Sequence, residues 1–250
     1  MRDEHLDIEA PTRRQLLVGG ALAAAAVAVG GARSADAGLI RPEAVAAVPV
    51  RPGLDVFPRS AWGADLKPKG RIYPETTKFL LVHHTGGIST ARTTRNHIRV
   101  AYWWHTSQYK RWPDVCYQFF VGRAGDVWEG RKGSLDGPVR ADASGGSQGW
   151  AQLVCLTGNF EKEQPTEAHV DSLVKVLAHI GLRDGLDLSP DATTTVVSRG
   201  SNKWQKGRRV TTPIINGHRS MSATTCPGKN LWKRLPEIRQ RVADQAAAWS

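Results

Sequence analysis

The sequence predicts a single α/β domain with helices flanking a central β-sheet, and three observations carry that expectation. The uninterrupted apolar run Phe79-Leu80-Leu81-Val82 has the character of a strand buried on both faces and therefore central in its sheet. Short β-branched and aromatic runs recur at Tyr117–Val121, Val127–Arg131, Leu153–Thr157 and Val210–Ile215. Apolar residues at helical spacing fall at 90–106, from Thr166 onward and from Leu231 to Ala248.

Taken in order, the chain opens with a twin-arginine pattern, Thr12-Arg13-Arg14-Gln15-Leu16-Leu17. A Gly/Ala-rich apolar run to about Ala32 and small residues at Ala35-Asp36-Ala37 follow. Residues 1–37 thus have the layout of an export signal, too short and too weakly apolar for a membrane span. Residues 38–54, rich in Pro, Ala and Val without periodicity, read as a linker, and the domain is expected over 55–250. Trp62 beside Gly63 is an aromatic anchor. The first long strand ends in His83-His84-Thr85-Gly86-Gly87; because side chains alternate, the two histidines point to opposite faces.

In the helix at 90–106, core packing accounts for at least one of Trp103 and Trp104, and Trp104 is the candidate for a substrate groove. Gly122–Asp126 reads as a hairpin turn, and 133–149 as a Gly/Ser-rich loop. Thr166 is positioned to cap the next helix, whose His169 and His179 read as surface or packing residues. Arg199, Lys203, Lys206, Arg208 and Arg209 surround Trp204 in a loop that is either a solvated basic segment or a polyanion contact.

Composition bounds the partners. There are 34 Lys+Arg against 23 Asp+Glu, a net charge of +11 and a pI near 10.0. Residues 1–37 hold more acidic than basic side chains, so the positive excess belongs to the rest of the chain. Such a surface suits polyanions. No nucleic-acid motif accompanies it, so nucleic acid is not an expected partner; a cell wall with anionic polymers or a membrane surface rich in phosphate and carboxylate fits equally well. The mature protein is expected to be extracytoplasmic, monomeric and without a membrane anchor. Three cysteines cannot all pair; Cys116 and Cys155 are a disulfide or two buried thiols.

The chemistry concentrates in Gly217-His218-Arg219 through Cys226-Pro227-Gly228. An imidazole and a thiol on one short loop supply half of a tetrahedral zinc site, and His83 at a strand end is the candidate third donor.

These residues, in the order Trp62-Gly63-Ala64, Val82-His83-His84-Thr85, Asp114-Val115-Cys116-Tyr117-Gln118-Phe119, Gly125-Asp126-Val127-Trp128-Glu129-Gly130-Arg131, Gly158-Asn159-Phe160 and the His218 to Cys226 loop, resemble the peptidoglycan recognition protein and type 2 N-acetylmuramoyl-L-alanine amidase family. The resemblance runs from about Arg59 to Trp232. It implies a mixed sheet with helices on both faces and, in catalytic members, a zinc amidase. Such an enzyme hydrolyses the bond between the lactyl group of N-acetylmuramic acid and L-alanine, so peptidoglycan or muropeptides are the implied partners. By position, the Zn2+ ligands would be His83, His218 and Cys226. Tyr117 matches the family tyrosine near the metal and, with Thr224, is a candidate catalytic residue; His84, Trp104 and Trp204 are the candidate substrate contacts. Departures from the family pattern are the missing loop His near Ala143, Thr224 where some relatives carry Lys, and Cys116 and Gln118 where Gly and His are commoner. A non-catalytic wall-binding module is the alternative reading.

Overall fold

The structure, a computed structural model, describes residues 45–87 and 93–250. The signal-like segment 1–37 and the beginning of the expected helix at 90–106 lie outside them. A seven-stranded mixed sheet forms the centre, in the order β1-β2-β5-β4-β6-β3-β9. Its strands are β1 (Val48–Arg51), β2 (Leu54–Phe57), β3 (Phe79–His84), β4 (Phe119–Val121), β5 (Val127–Glu129), β6 (Ala151–Leu156) and β9 (Ile215–Gly217). A separate antiparallel pair is made by β7 (Thr193–Val197) and β8 (Arg209–Pro213). The helices among the described residues are α1 (Ser60–Gly63), α2 (Thr94–His105), α3 (Glu167–Arg183) and α4 (Lys229–Trp249). Among the described residues, no helix is long and apolar enough to cross a membrane.

Strand β3 explains the layering. All six of its residues are buried, and it pairs in parallel with β6 on one side and β9 on the other. Leu80 and Val82 pack with Leu173, Leu177, Leu231 and Leu235 from α3 and α4. Phe79 and Leu81 point the other way, into a cluster with Leu153, Val196, Val210 and Met221. Each of these fully buried side chains contributes about 1.5–3 kcal/mol. The same alternation sends His83 and His84 to opposite faces.

A third cluster holds Trp62, Ile98, Tyr102, Val115, Phe120 and Cys155. Trp62 is the anchor its setting predicts: fully buried, it donates from Nε1 to the Glu129 carbonyl at 2.6 Å. Beside it Arg59 pairs with the buried Asp114 at 3.0 Å, and its backbone N–H donates to Glu129 Oε2 at 2.9 Å. On α2 the buried positions are Ile98, Ala101, Tyr102 and His105. This spacing corrects the expectation that one Trp of the pair enters the core. Trp103 is 53% exposed and Trp104 half-buried against Tyr109.

Other differences have local causes. The expected linker contains β1, which turns at Pro52-Gly53, where Gly53 has φ +71°, and pairs antiparallel with β2. The expected strand Val210–Ile215 divides, because β8 ends at Pro213 and the chain crosses into the main sheet as β9. Strand β7 adds to the expected strands, and Thr193-Thr194-Thr195-Val196-Val197 carries the β propensity for it. Cys116 lies outside any strand, and all three cysteines are free and buried.

Helix α3 begins as expected. Thr166 Oγ1 accepts from His169 N at 3.1 Å, while Thr166 N donates to His169 Nδ1 at 3.3 Å. His169 therefore takes the place usually held by Glu or Gln in a capping box and is fully buried, not a surface residue. Burial lowers its pKa to about 4, which keeps the ring neutral and Nδ1 an acceptor. Thr166→Ala is expected to lose about 1 kcal/mol in a chemical denaturation series.

Candidate metal centre

Parallel pairing puts Val82 of β3 opposite Gly217 of β9. The residue after each is a histidine, so register sets His83 of β3 beside His218, which directly follows the end of β9. Their ring centroids are 4.3 Å apart. After a 3₁₀ turn, His218–Ser220, the chain loops back and delivers Cys226, whose carbonyl accepts from Arg219 N at 2.9 Å.

The return path depends on two glycines. A Cβ on Gly217 would lie 2.7 Å from Pro227 Cδ and 2.9 Å from the Trp232 ring. Gly228 has φ +92°, and a Cβ there would meet the Phe160 carbonyl carbon at 2.4 Å. The loop thus closes against the segment after β6 and the first turn of α4. Glu161 fastens it from outside, accepting from Lys229 N at 2.8 Å and from Arg219 Nη2 at 3.1 Å.

His83, His218 and Cys226 are all buried, and their donor atoms lie within 4.8 Å of one another. Cys226 Sγ is 3.6 Å from His83 Nδ1. A sulfur and an imidazole nitrogen bound to one tetrahedral zinc at the usual bond lengths stand ~3.6 Å apart. Two imidazoles and a thiol also make a donor set matched to a borderline-soft divalent cation. The residues present therefore fit a zinc ion, with three protein donors and one position left for water or substrate.

Burial pushes the Cys226 thiol up to about 12, with the His84 backbone N–H and Arg219 opposing it. Without a metal the sulfur holds its proton; a bound divalent cation must displace it. Zinc binding is accordingly expected to release about one proton at neutral pH and to tighten as pH rises. Calorimetry in buffers of different ionisation enthalpy measures this directly.

Tyr117 stands next to the donors, 5.0 Å from His83 between ring centroids, and packs also on His105 (5.6 Å) and Phe120 (5.3 Å). Burial first, and then the Cys116, Cys155 and Cys226 thiols, hold its phenol well above the ordinary value. Tyr117 thus keeps its proton, and its O–H is able to donate a hydrogen bond. Sequence reasoning missed its supports. Cys155 is paired in register with His83 across β6, and His105 Nδ1 accepts from Cys116 N at 3.2 Å. Burial lowers His105 to about 3, which keeps it neutral in that role. The only signal for His105 was its place one helical turn beyond Ala101 and Tyr102.

The remaining candidates separate by position. Thr224 Oγ1 accepts from Cys226 N at 3.2 Å, so it shapes the ligand loop. His84, on the opposite face, accepts from Phe160 N at 3.2 Å through Nδ1. Burial lowers it to about 4. Trp204 donates from Nε1 to the Ser220 carbonyl at 2.8 Å and so braces the ligand loop from outside. Trp104 is placed with Tyr109 on the outer side of α2. Ala143, where the family histidine is missing, packs beside Tyr117 on the cluster of Phe79, Leu81 and Met221.

A mixed sheet with two histidines at the ends of adjacent parallel strands, completed by a cysteine from the loop that returns to them, defines a protein with a candidate mononuclear metal centre. The chain belongs to the N-acetylmuramoyl-L-alanine amidase family, whose model matches residues 73–229. Peptidoglycan-recognition protein SC2 of Drosophila melanogaster is 23% identical over 185 residues, covering 73% of this chain and 85% of the relative. The N-acetylmuramoyl-L-alanine amidase of Sus scrofa is 30% identical over 205 residues, covering 77% of this chain and 29% of that longer protein. Among solved structures, the ectodomain complex of peptidoglycan recognition proteins LCa and LCx with tracheal cytotoxin superposes with a TM-score of 0.53 at 19% identity, over 71% of this chain and 92% of the other.

Proposed function

We propose that this chain is an exported zinc-dependent amidase that hydrolyses the lactyl–L-alanine bond of peptidoglycan. The observation that carries the reading is the convergence of His83, His218 and Cys226, with the Tyr117 ring beside them. A zinc ion held there would supply Lewis-acid polarisation of the amide carbonyl and a water of lowered pKa. His83 on β3 and His218 just after β9 would each offer an imidazole nitrogen, and Cys226 the one formal negative charge of the set once deprotonated. Tyr117 donates toward the carbonyl oxygen as negative charge develops on it, and the surrounding sheet holds the phenol in place without further reorganisation. With threonine rather than lysine at 224, Tyr117 is the residue assigned to that work.

The test pairs zinc content of the mature domain with release of stem peptide from purified peptidoglycan, by wild type and by Cys226→Ala. Stoichiometric zinc and cleavage that the variant lacks support the enzyme. Wall binding by metal-free or uncleaving wild type establishes a binding module instead.

Export is supported by Arg13-Arg14 and the apolar run behind them. Replacing both (Arg13→Lys, Arg14→Lys) is expected to leave most of the protein inside the cell, as read by fractionation. Unchanged export would rule out the twin-arginine route.

A further inference from the structure

We infer that the basic loop joining β7 to β8 is the docking surface for a phosphate-bearing anionic polymer of the cell wall; this rests on the reading of the chain as a wall enzyme. Arg199, Lys203, Lys206, Arg208 and Arg209 are all exposed. No Asp or Glu occurs in the sequence between Asp191 and Glu237. Among the described residues, none of these cations is in a salt bridge with a carboxylate. Elsewhere several arginines are neutralised, as Arg234 is by Glu167 and Glu237. This hairpin therefore presents a run of exposed positive charge with no carboxylate paired to it.

The loop is tied firmly to the metal-bearing loop. Ser201 Oγ donates to the Met221 carbonyl at 2.9 Å, and Lys203 Nζ to the Arg219 carbonyl at 2.6 Å. Asn202 both donates to the Ala223 carbonyl (3.1 Å) and accepts from Ala223 N (2.8 Å). A polymer held by the outward cations lies against the segment that carries His218 and Cys226. It would concentrate the protein where phosphate polymers and peptidoglycan are joined in one wall.

The chemistry favours phosphate on a flexible chain over nucleic acid. Guanidinium groups take phosphate oxygens in a bidentate fork, and Arg208 and Arg209 offer two in succession. Single-stranded nucleic acid wants aromatic faces for base stacking. The loop's one aromatic, Trp204, has its N–H committed to Ser220 and its ring packed on the Met221 cluster. Lys206, Arg208 and Arg209 have no side-chain partner among the described residues, which makes them safe to alter.

The experiment uses purified poly(glycerol phosphate), titrated at two salt concentrations into the mature protein and into Lys206→Glu/Arg208→Glu/Arg209→Glu. Wild type is expected to bind and to weaken about tenfold or more between 50 and 200 mM salt, by release of condensed counterions. The triple variant is expected to bind at least about tenfold more weakly, with a salt slope lower by about three, one for each cation removed. Its zinc content and its cleavage of a small soluble muropeptide stay at the wild-type level. Equal polymer binding by the triple variant would overturn the proposal, as would tighter binding of mixed-sequence DNA than of polymer at the same salt. Failure of the amidase reading shows separately, as absent muropeptide cleavage by a wild type that still binds polymer.

Discussion

Cys226→Ala is expected to bring stem-peptide release to background and to weaken zinc binding by more than about 100-fold, beyond the range typical for loss of an outer-shell partner. The argument is geometric. His83 on β3 and His218 directly after the adjacent β9 reach one side of the site, whereas the third corner comes only from the loop that Gly217 and Gly228 allow to close. Removing the sulfur takes away the one donor that becomes an anion on binding, and leaves two neutral imidazoles with two open positions. The metal-free fold is expected to change by only about 1 kcal/mol, since alanine keeps most of the buried volume. Retained circular dichroism and thermal unfolding together with lost zinc would therefore place the effect at the metal. The proton released on zinc binding should vanish in the same variant.

Tyr117→Phe is expected to lower kcat by about 10²–10³, the cost of removing one preorganised donor to a developing oxyanion. KM should change little, because the hydroxyl acts on charge that appears only as the reaction proceeds. The ring contacts with His83, His105 and Phe120 survive the substitution, so zinc content should hold. The pH profile gives a second check. Burial and the neighbouring thiols raise the phenol far above its ordinary value, so its stabilising proton is lost only at high pH. An alkaline fall in activity near neutral pH must come from another group and should persist in Tyr117→Phe.

Much of this was legible in the chain because the signals were local. The run Phe79 to Val82 has no polar residue on either face, which already requires cover on both sides; alternation then separates His83 from His84. Thr166 announced α3 because a cap is a property of one residue and its next turn. What escaped was set by distant partners. Val48–Arg51 looks like linker until β2 gives it a register, and Pro213 reads as part of one strand until β8 and β9 are seen in different sheets. The surroundings of Tyr117 come from α2, β6 and the segment before β4, and no spacing brings His105, Cys116 and Cys155 together. Trp103 and Trp104 misled for the opposite reason: large aromatics suggest a core, yet the helical phase assigns that face to Ile98, Ala101, Tyr102 and His105.

The most direct test is mass spectrometry of the products formed when the zinc-loaded mature protein acts on a purified muropeptide. The predicted pair is an intact stem peptide with a free L-alanine amino group and a muramic acid with a free lactyl carboxylate. A cut at any other bond, or no cut by protein shown to carry one zinc per chain, would contradict the assignment of this site as a lactyl–L-alanine amidase.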